Sequence, residues 1–231
     1  MRVDSVEQVF APIHMVTSRP TISFNTIVNS ADAAVSADPN SFEESSFRGI
    51  QFDYDYTRSG NPTRDQLGEA LAELEGGAGG VVTATGMAAI TLVLALLEPG
   101  DRLVVPHDGY GGSWRLFNAL ARKHHFILHT IDYNDPPALA EALRERPRLV
   151  WIETPSNPLL RLTDIRRVAD LAHAVGATVV VDNTFLSPAL QTPIALGADL
   201  VLHSTTKYIN GHSDVVGGAV IARDPALHES L

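Results

Sequence analysis

The chain has 231 residues, of which 45% are apolar and 19% charged, a balance that suits one large α/β domain, or one domain plus an arm. A net charge of −10 argues against a nucleic-acid surface, because phosphates call for clustered Lys and Arg. The lack of cysteine excludes a disulfide framework, a thiolate metal site and a thiol nucleophile. Residues 1–50 carry scattered Ser, Asn, Asp and Pro without helical or strand periodicity, and no signal-peptide pattern opens the chain. Regular structure is expected from about Arg64. Asp65–Glu75 reads as a helix with Leu67, Leu71 and Leu74 on its apolar face, stopped by Gly76-Gly77. Gly86 opens a second helix through Leu97, ended by Pro99-Gly100; its apolar stretch, Ile90–Leu97, is too short to span a bilayer. A soluble cytoplasmic protein is the expectation.

Six β-rich runs follow: Leu103–Val105, Phe126–Ile131, Leu149–Ile152, Thr178–Val181, Leu200–Leu202 and Ala219–Ile221. Between them lie helices near Gly112–Lys123, Pro137–Arg146 and Asp164–Val175. Continuously apolar strands alternating with helices predict a three-layer α/β/α domain around a mostly parallel sheet. Ligands of such sheets sit beyond the carboxyl ends of the strands, so the residues after each strand become the candidates. Three segments stand there: Glu153-Thr154-Pro155-Ser156-Asn157-Pro158, Asp182-Asn183-Thr184 and His203-Ser204-Thr205-Thr206-Lys207-Tyr208.

Each candidate has two readings. Lys207 follows an apolar strand and two threonines, a place where an amine can serve as a Schiff-base nucleophile; the plainer reading is a solvated lysine. Asp182 closes a β-branched run, where a buried carboxylate wants a cationic partner such as a protonated pyridine, or it simply caps the next segment. Ser204 and Thr206 offer hydroxyls, and Gly86-Met87 offers helix N-terminal amides, all suited to phosphate oxygens. Thr83-Ala84-Thr85-Gly86 has no Walker lysine, which disfavours a nucleoside triphosphate. Tyr56 and Arg58 lie in a turn-rich segment, and Tyr110 sits among glycines that allow a ring to approach closely; both segments also read as ordinary loops. His124-His125, His203 and His212 show no metal-binding spacing, so structural histidines are expected and no metal.

Together these segments resemble the Cys/Met-metabolism family of fold-type-I pyridoxal-phosphate (PLP) enzymes. The resemblance is carried by YTRSGNPT (Tyr56–Thr63), TGMAAI (Thr85–Ile90), GYGGSWRLF (Gly109–Phe117), ETPSNP (Glu153–Pro158), VDNTF (Val181–Phe185) and HSTTKYINGHSDVVGG (His203–Gly218), in that order. It implies an aspartate-aminotransferase-like PLP-binding large domain over residues 51–231, preceded by a divergent N-terminal arm over 1–50. It implies that Lys207 forms the internal aldimine and moves protons, that Asp182 pairs with the pyridine nitrogen, and that Asn157 meets the ring hydroxyl. Tyr110 would stack on the ring and assist proton transfer; Gly86, Met87, Ser204 and Thr206 would hold the phosphate. Tyr56 and Arg58 would reach the neighbouring subunit's phosphate, which implies a homo-oligomer, a dimer or a dimer of dimers.

Tyr110–Phe117 and Thr184–Leu190 resemble the branch that acts as a transferase. That branch replaces the γ-substituent of an activated homoserine ester (O-succinylhomoserine) with cysteine to give cystathionine. Arg115 would meet the distal carboxylate of the ester, with Asp55 beside it in role. Gly112 stands where methionine γ-lyases carry a cysteine, although a C–S lyase of the same family is the alternative activity. Family members continue beyond the position of Leu231 into a small C-terminal domain, so a C-terminally truncated chain is expected, and a non-catalytic fragment is the reading outside the enzyme class.

Overall fold

Asn61 starts the first helix. Its Oδ1 accepts from Thr63 N (3.0 Å) and Arg64 N (3.1 Å), Pro62 takes the first helical position, and α1 runs Pro62–Glu75. Gly76, at φ 77°, ends it in the left-handed conformation that glycine adopts without strain. The computed structural model describes Thr57 and residues 60–231. The expected arm over 1–50 lies outside these residues, as do Asp55, Tyr56 and Arg58.

The buried face of α1 differs from the expected leucine stripe. Gly68, Leu71, Ala72 and Glu75 face inward, while Leu67 and Leu74 are exposed. Close approach decides this: the backbones of Gly68 and Gly80 meet so tightly that a side chain on either would strike the other's carbonyl. The helix therefore presents its smallest residues to the sheet.

After α1 come β1 (Gly79–Thr83), α2 (Gly86–Leu94), β2 (Arg102–Pro106), α3 (Gly111–Ala121), β3 (Ile127–Ile131), α4 (Pro136–Arg144) and β4 (Leu149–Glu153). Then follow α5 (Ile165–His173), β5 (Thr178–Asp182), a short α6 (Ser187–Leu190), a 3-10 turn (Pro193–Leu196), β6 (Leu200–His203), β7 (Gly218–Ala222) and α7 (Pro225–Glu229). The seven strands form one sheet in the order β1-β7-β6-β5-β4-β2-β3. Strands β6, β5, β4, β2 and β3 are parallel; at one edge β7 pairs antiparallel with β6, and β1 pairs antiparallel with β7. Strand β1 has no counterpart among the expected runs, because its two glycines conceal a strand that only pairing with β7 reveals.

Strand parity separates two cores. On one face Val104, Ile152, Val179, Val181 and Val201 pack with α1, α4 and α5. On the other Leu103, Val105, Trp151, Val180 and Leu202 pack with α2 and α3. Trp151 is wholly buried there, edge-on to Phe117 with ring centroids 5.3 Å apart. This is the three-layer α/β/α arrangement with a mostly parallel sheet, as expected.

One shift of boundary matters for the site. Glu153, Asp182 and His203 are not the first residues after their strands but the last residues within them. A strand residue's face is set by its neighbours, so Glu153 and Asp182, paired in register, both point to the α2/α3 side. His203, one step beyond Leu202, points to the α1 side.

Candidate active site

Parallel strands β4, β5 and β6 all finish at one edge of the sheet, and α2 starts beside them. Between them lies a cavity of about 310 Å³, within the ~300–1,000 Å³ typical of small-ligand sites. Its wall brings together Gly86, Met87, Tyr110, Asn157, Asp182, Ser204, Thr206 and Lys207, every expected site residue among the described ones except Arg115. Arg115 lies on the exposed side of α3 and does not line the cavity.

Asp182 is buried, and burial raises its pKa; the two hydrogen bonds from Thr184 and the charge of His203 oppose that rise. Its Oδ1 accepts from Thr184 Oγ1 (2.6 Å) and Thr184 N (3.1 Å). Thr184 Oγ1 in turn accepts from Ser204 N at 2.9 Å. One threonine thus ties the end of β5 to the loop after β6. No described hydrogen bond engages Oδ2 of Asp182, so a buried carboxylate keeps one oxygen for a further donor.

One end of the cavity is formed where Gly86 meets Ser204. A Cβ on Gly86 would lie 2.7 Å from Ser204 Cβ, so only glycine permits the helix to start there. Thr85 caps α2 through its Oγ1, which accepts from Ala88 N (2.9 Å), and the first-turn amides of Gly86 and Met87 have no acceptor inside the helix. Thr206 lines the same end, but its hydroxyl already exchanges hydrogen bonds with Gly217, donating to the carbonyl (3.1 Å) and accepting from N–H (2.9 Å). Lys207 sits on the exposed rim of the cavity, at the end of a turn closed by Lys207 N donating to Ser204 O (3.1 Å).

Tyr110 stands just before α3, its ring against the backbone of Gly112. A Cβ on Gly112 would come within 2.7 Å of the tyrosine Cζ, so the ring position depends on that glycine. Phe185, Val216, Ile90 and Leu202 complete the apolar part of the wall. Glu153 also lines it, and sequence reasoning assigned it no role. Its Oε2 accepts from Tyr110 N (2.7 Å) and its Oε1 from Asn157 N (2.8 Å). Burial and the nearby charge of Asp182 raise its pKa to about 7.

The profile of the Cys/Met metabolism PLP-dependent enzyme family matches residues 16–231. The chain belongs to that family. It is 64% identical over 179 residues to cystathionine γ-synthase of Escherichia coli (strain K12), an alignment that covers 77% of this chain and 46% of the relative. A crystal structure of cystathionine γ-synthase from Xanthomonas oryzae pv. oryzae in complex with cystathionine superposes with a TM-score of 0.77 at 73% identity, covering 79% of this chain and 47% of that one. Cystathionine γ-lyase of Dictyostelium discoideum is 46% identical over 182 residues, covering 79% of this chain and 47% of the relative. The chain spans about half the length of the curated relatives it matches.

Pyridoxal phosphate is the cofactor of this family, and the residues present fit it. Asp182 lines the cavity and its Oδ2 accepts no described hydrogen bond, which suits a protonated ring nitrogen. The amides at the start of α2 and the Ser204 hydroxyl suit a phosphate, and Lys207 is the one lysine on the cavity wall. Among the described residues no group of His, Cys, Asp and Glu is placed to hold a metal ion, and no helix is long and apolar enough to cross a membrane.

The positions of Thr184 and Glu153 were hidden in the sequence for a common reason. Each lies within a quoted motif, but its role depends on a neighbour far along the chain: Ser204 for Thr184, and Tyr110 for Glu153.

Proposed function

We propose that this chain is the cofactor-binding part of a PLP-dependent transferase that acts on O-succinylhomoserine and cysteine to form cystathionine. The observation that carries the class of chemistry is the convergence of Lys207, Asp182 and the α2 amides on one cavity. The γ-replacement reaction is favoured over C–S lysis by the 64% and 73% identities to γ-synthases against 46% to a γ-lyase. In the replacement, the succinate carboxylate leaves with the Cγ–O electron pair and the cysteine sulfur forms the Cγ–S bond.

The bound cofactor supplies an electron sink for negative charge at the substrate carbons. The protein residues do the rest. Lys207 Nζ anchors the cofactor and then moves protons at Cα and Cβ of the substrate. Asp182 Oδ2 would accept from the ring nitrogen and favour its protonated form, and Asn157 would meet the ring hydroxyl. Tyr110 would stack on the ring and assist proton transfer at the leaving group. Gly86 and Met87 amides, with Ser204 and Thr206, would hold the phosphate. Arg115 and Asp55 serve the ester's distal end. Tyr56 and Arg58 act on a neighbouring subunit's phosphate, in a homo-oligomer working in the cytoplasm.

The test is to add PLP to the purified chain, record its visible absorbance, then supply O-succinylhomoserine and cysteine and follow products by mass. Cystathionine formation supports the reading. Release of ammonia and a keto acid from cystathionine, with no synthesis, supports the lyase instead. A chain that takes up PLP and forms neither product is the non-catalytic fragment.

A further inference from the structure

Two backbone N–H groups on separate loops end on one carboxylate. Tyr110 N, at the start of α3, donates to Glu153 Oε2 at 2.7 Å, and Asn157 N, beyond β4, donates to Glu153 Oε1 at 2.8 Å. Neither residue is a sequence neighbour of the other, and the same two loops are joined once more by Ser156 Oγ, which donates to Asp108 Oδ2 (2.8 Å). The approach is tight: a Cβ on Gly109 would lie 3.0 Å from Glu153 Oε2, so the residue before Tyr110 is bare where the carboxylate sits. We infer that Glu153 is a positioning residue that sets the Tyr110 ring and the Asn157 amide against a bound pyridoxal ring, an inference that rests on the PLP reading of this cavity.

The chemistry follows from the number of acceptors. An ionised carboxylate accepts at both oxygens and holds both loops with charge-assisted bonds. A protonated carboxyl turns one oxygen into a hydroxyl, so one loop loses much of its anchor. Glutamine is worse, because its NH2 would oppose an N–H. The charged groups facing Glu153 are Asp182 on β5 and Asp108 after β2, both negative; burial and these charges bring its pKa to about 7. Asp108 is itself held by Ser156 Oγ (2.8 Å) and lies 3.7 Å from Arg161 Nε. Glu153 therefore changes charge across neutral pH, and the two loops are held more firmly above pH 7 than below it.

The experiment compares wild type, Glu153→Gln and Glu153→Asp as full chains in two measurements. The first is amide hydrogen exchange without cofactor: at pH 8, Tyr110 or Asn157 in Glu153→Gln exchanges about tenfold faster than in wild type, while the core amide of Val180 is unchanged. The second is PLP titration followed by visible absorbance from pH 6 to 8.5: wild type binds about tenfold more tightly than Glu153→Gln at the high end, and the ratio shrinks toward one at the low end. Glu153→Asp, which keeps both acceptors, falls between the two. Unchanged exchange at both amides, or an affinity ratio independent of pH, overturns the inference. Altered exchange with no PLP uptake by wild type at any pH leaves Glu153 as the loop anchor and overturns the cofactor reading instead.

Discussion

Glu75 and Asp182 are buried carboxylates on opposite faces of the same sheet, and their surroundings differ in kind. On the α1 side, Glu75 Oε1 accepts from His203 Nε2 (2.6 Å) and Asn183 Nδ2 (2.8 Å), and Gln191 Nε2 donates to Asn183 Oδ1 (2.9 Å). The Glu75 and His203 side chains are wholly enclosed. On the α2 side, Asp182 and Glu153 line a cavity, meet no cation among their described partners, and are pushed upward in pKa by burial. The first cluster pairs Glu75 Oε1 with an imidazole and an amide, although Glu75 Oε2 and His203 Nδ1 have no described partner, and it ties the ends of β5 and β6 together. The second has no counter-charge among its described hydrogen-bond partners. A buried carboxylate matched to an imidazole away from any cavity reads as architecture, and one that lines a cavity with only neutral donors reads as a candidate binding site.

The most drastic test of that contrast is Lys207→Ala. It should abolish covalent PLP attachment, measured by borohydride trapping and peptide mass analysis; the chain's only other lysine, Lys123, lies beyond α3, and a trapped adduct there would end the assignment. On the other face, Glu75→Ala should destabilise the fold by about 3–5 kcal/mol, because it leaves a buried imidazole and a buried amide without their acceptor. Urea unfolding measures it, and a loss below about 1 kcal/mol would mean the cluster is not structural.

The pH dependence of stability sharpens the contrast further. Glu153 has a folded pKa of about 7 against an ordinary value of 4.5, so the folded chain binds more protons than the unfolded one between those values. Stability without cofactor is then greatest at the acid end of that window and falls as pH rises through it, by on the order of 3 kcal/mol for this one group. Asp182, also raised, acts in the same direction. Glu153→Gln should flatten the profile. The smallest stability effect is expected from Asp182→Asn: within about 1 kcal/mol of wild type without cofactor, since the change removes an unpaired buried charge, yet about tenfold weaker in PLP affinity or more. If Asp182→Asn instead unfolds the chain as Glu75→Ala does, the two faces do not differ as described.

The placement of strands and helices was largely readable, because apolar runs and helical stripes report local periodicity. The residues that line the cavity were readable as segments for the same reason: a polar cluster after an apolar strand marks the carboxyl edge of a parallel sheet. The lysine, aspartate and asparagine of that edge do converge. What escaped was whatever depends on contacts distant in sequence. Strand β1 was invisible because Gly79 and Gly80 carry no strand signature until β7 pairs with them. The leucine stripe of α1 pointed to the wrong face because Gly68 and Gly80 press together.

By itself, then, the sequence determined the family, the α/β order of elements and the residue types at the strand ends, all of which are local properties of short segments. Tertiary structure alone decided which way each of those residues faces and what it meets. His203 and Asp182 both close parallel strands, yet pairing in register sends one beneath the sheet to Glu75 and the other into the cavity. A strand's side chains alternate, so a difference of one residue in where a strand ends separates a histidine held by Glu75 from a carboxylate facing the cavity. No local pattern encodes that choice, because it is made by the neighbouring strands.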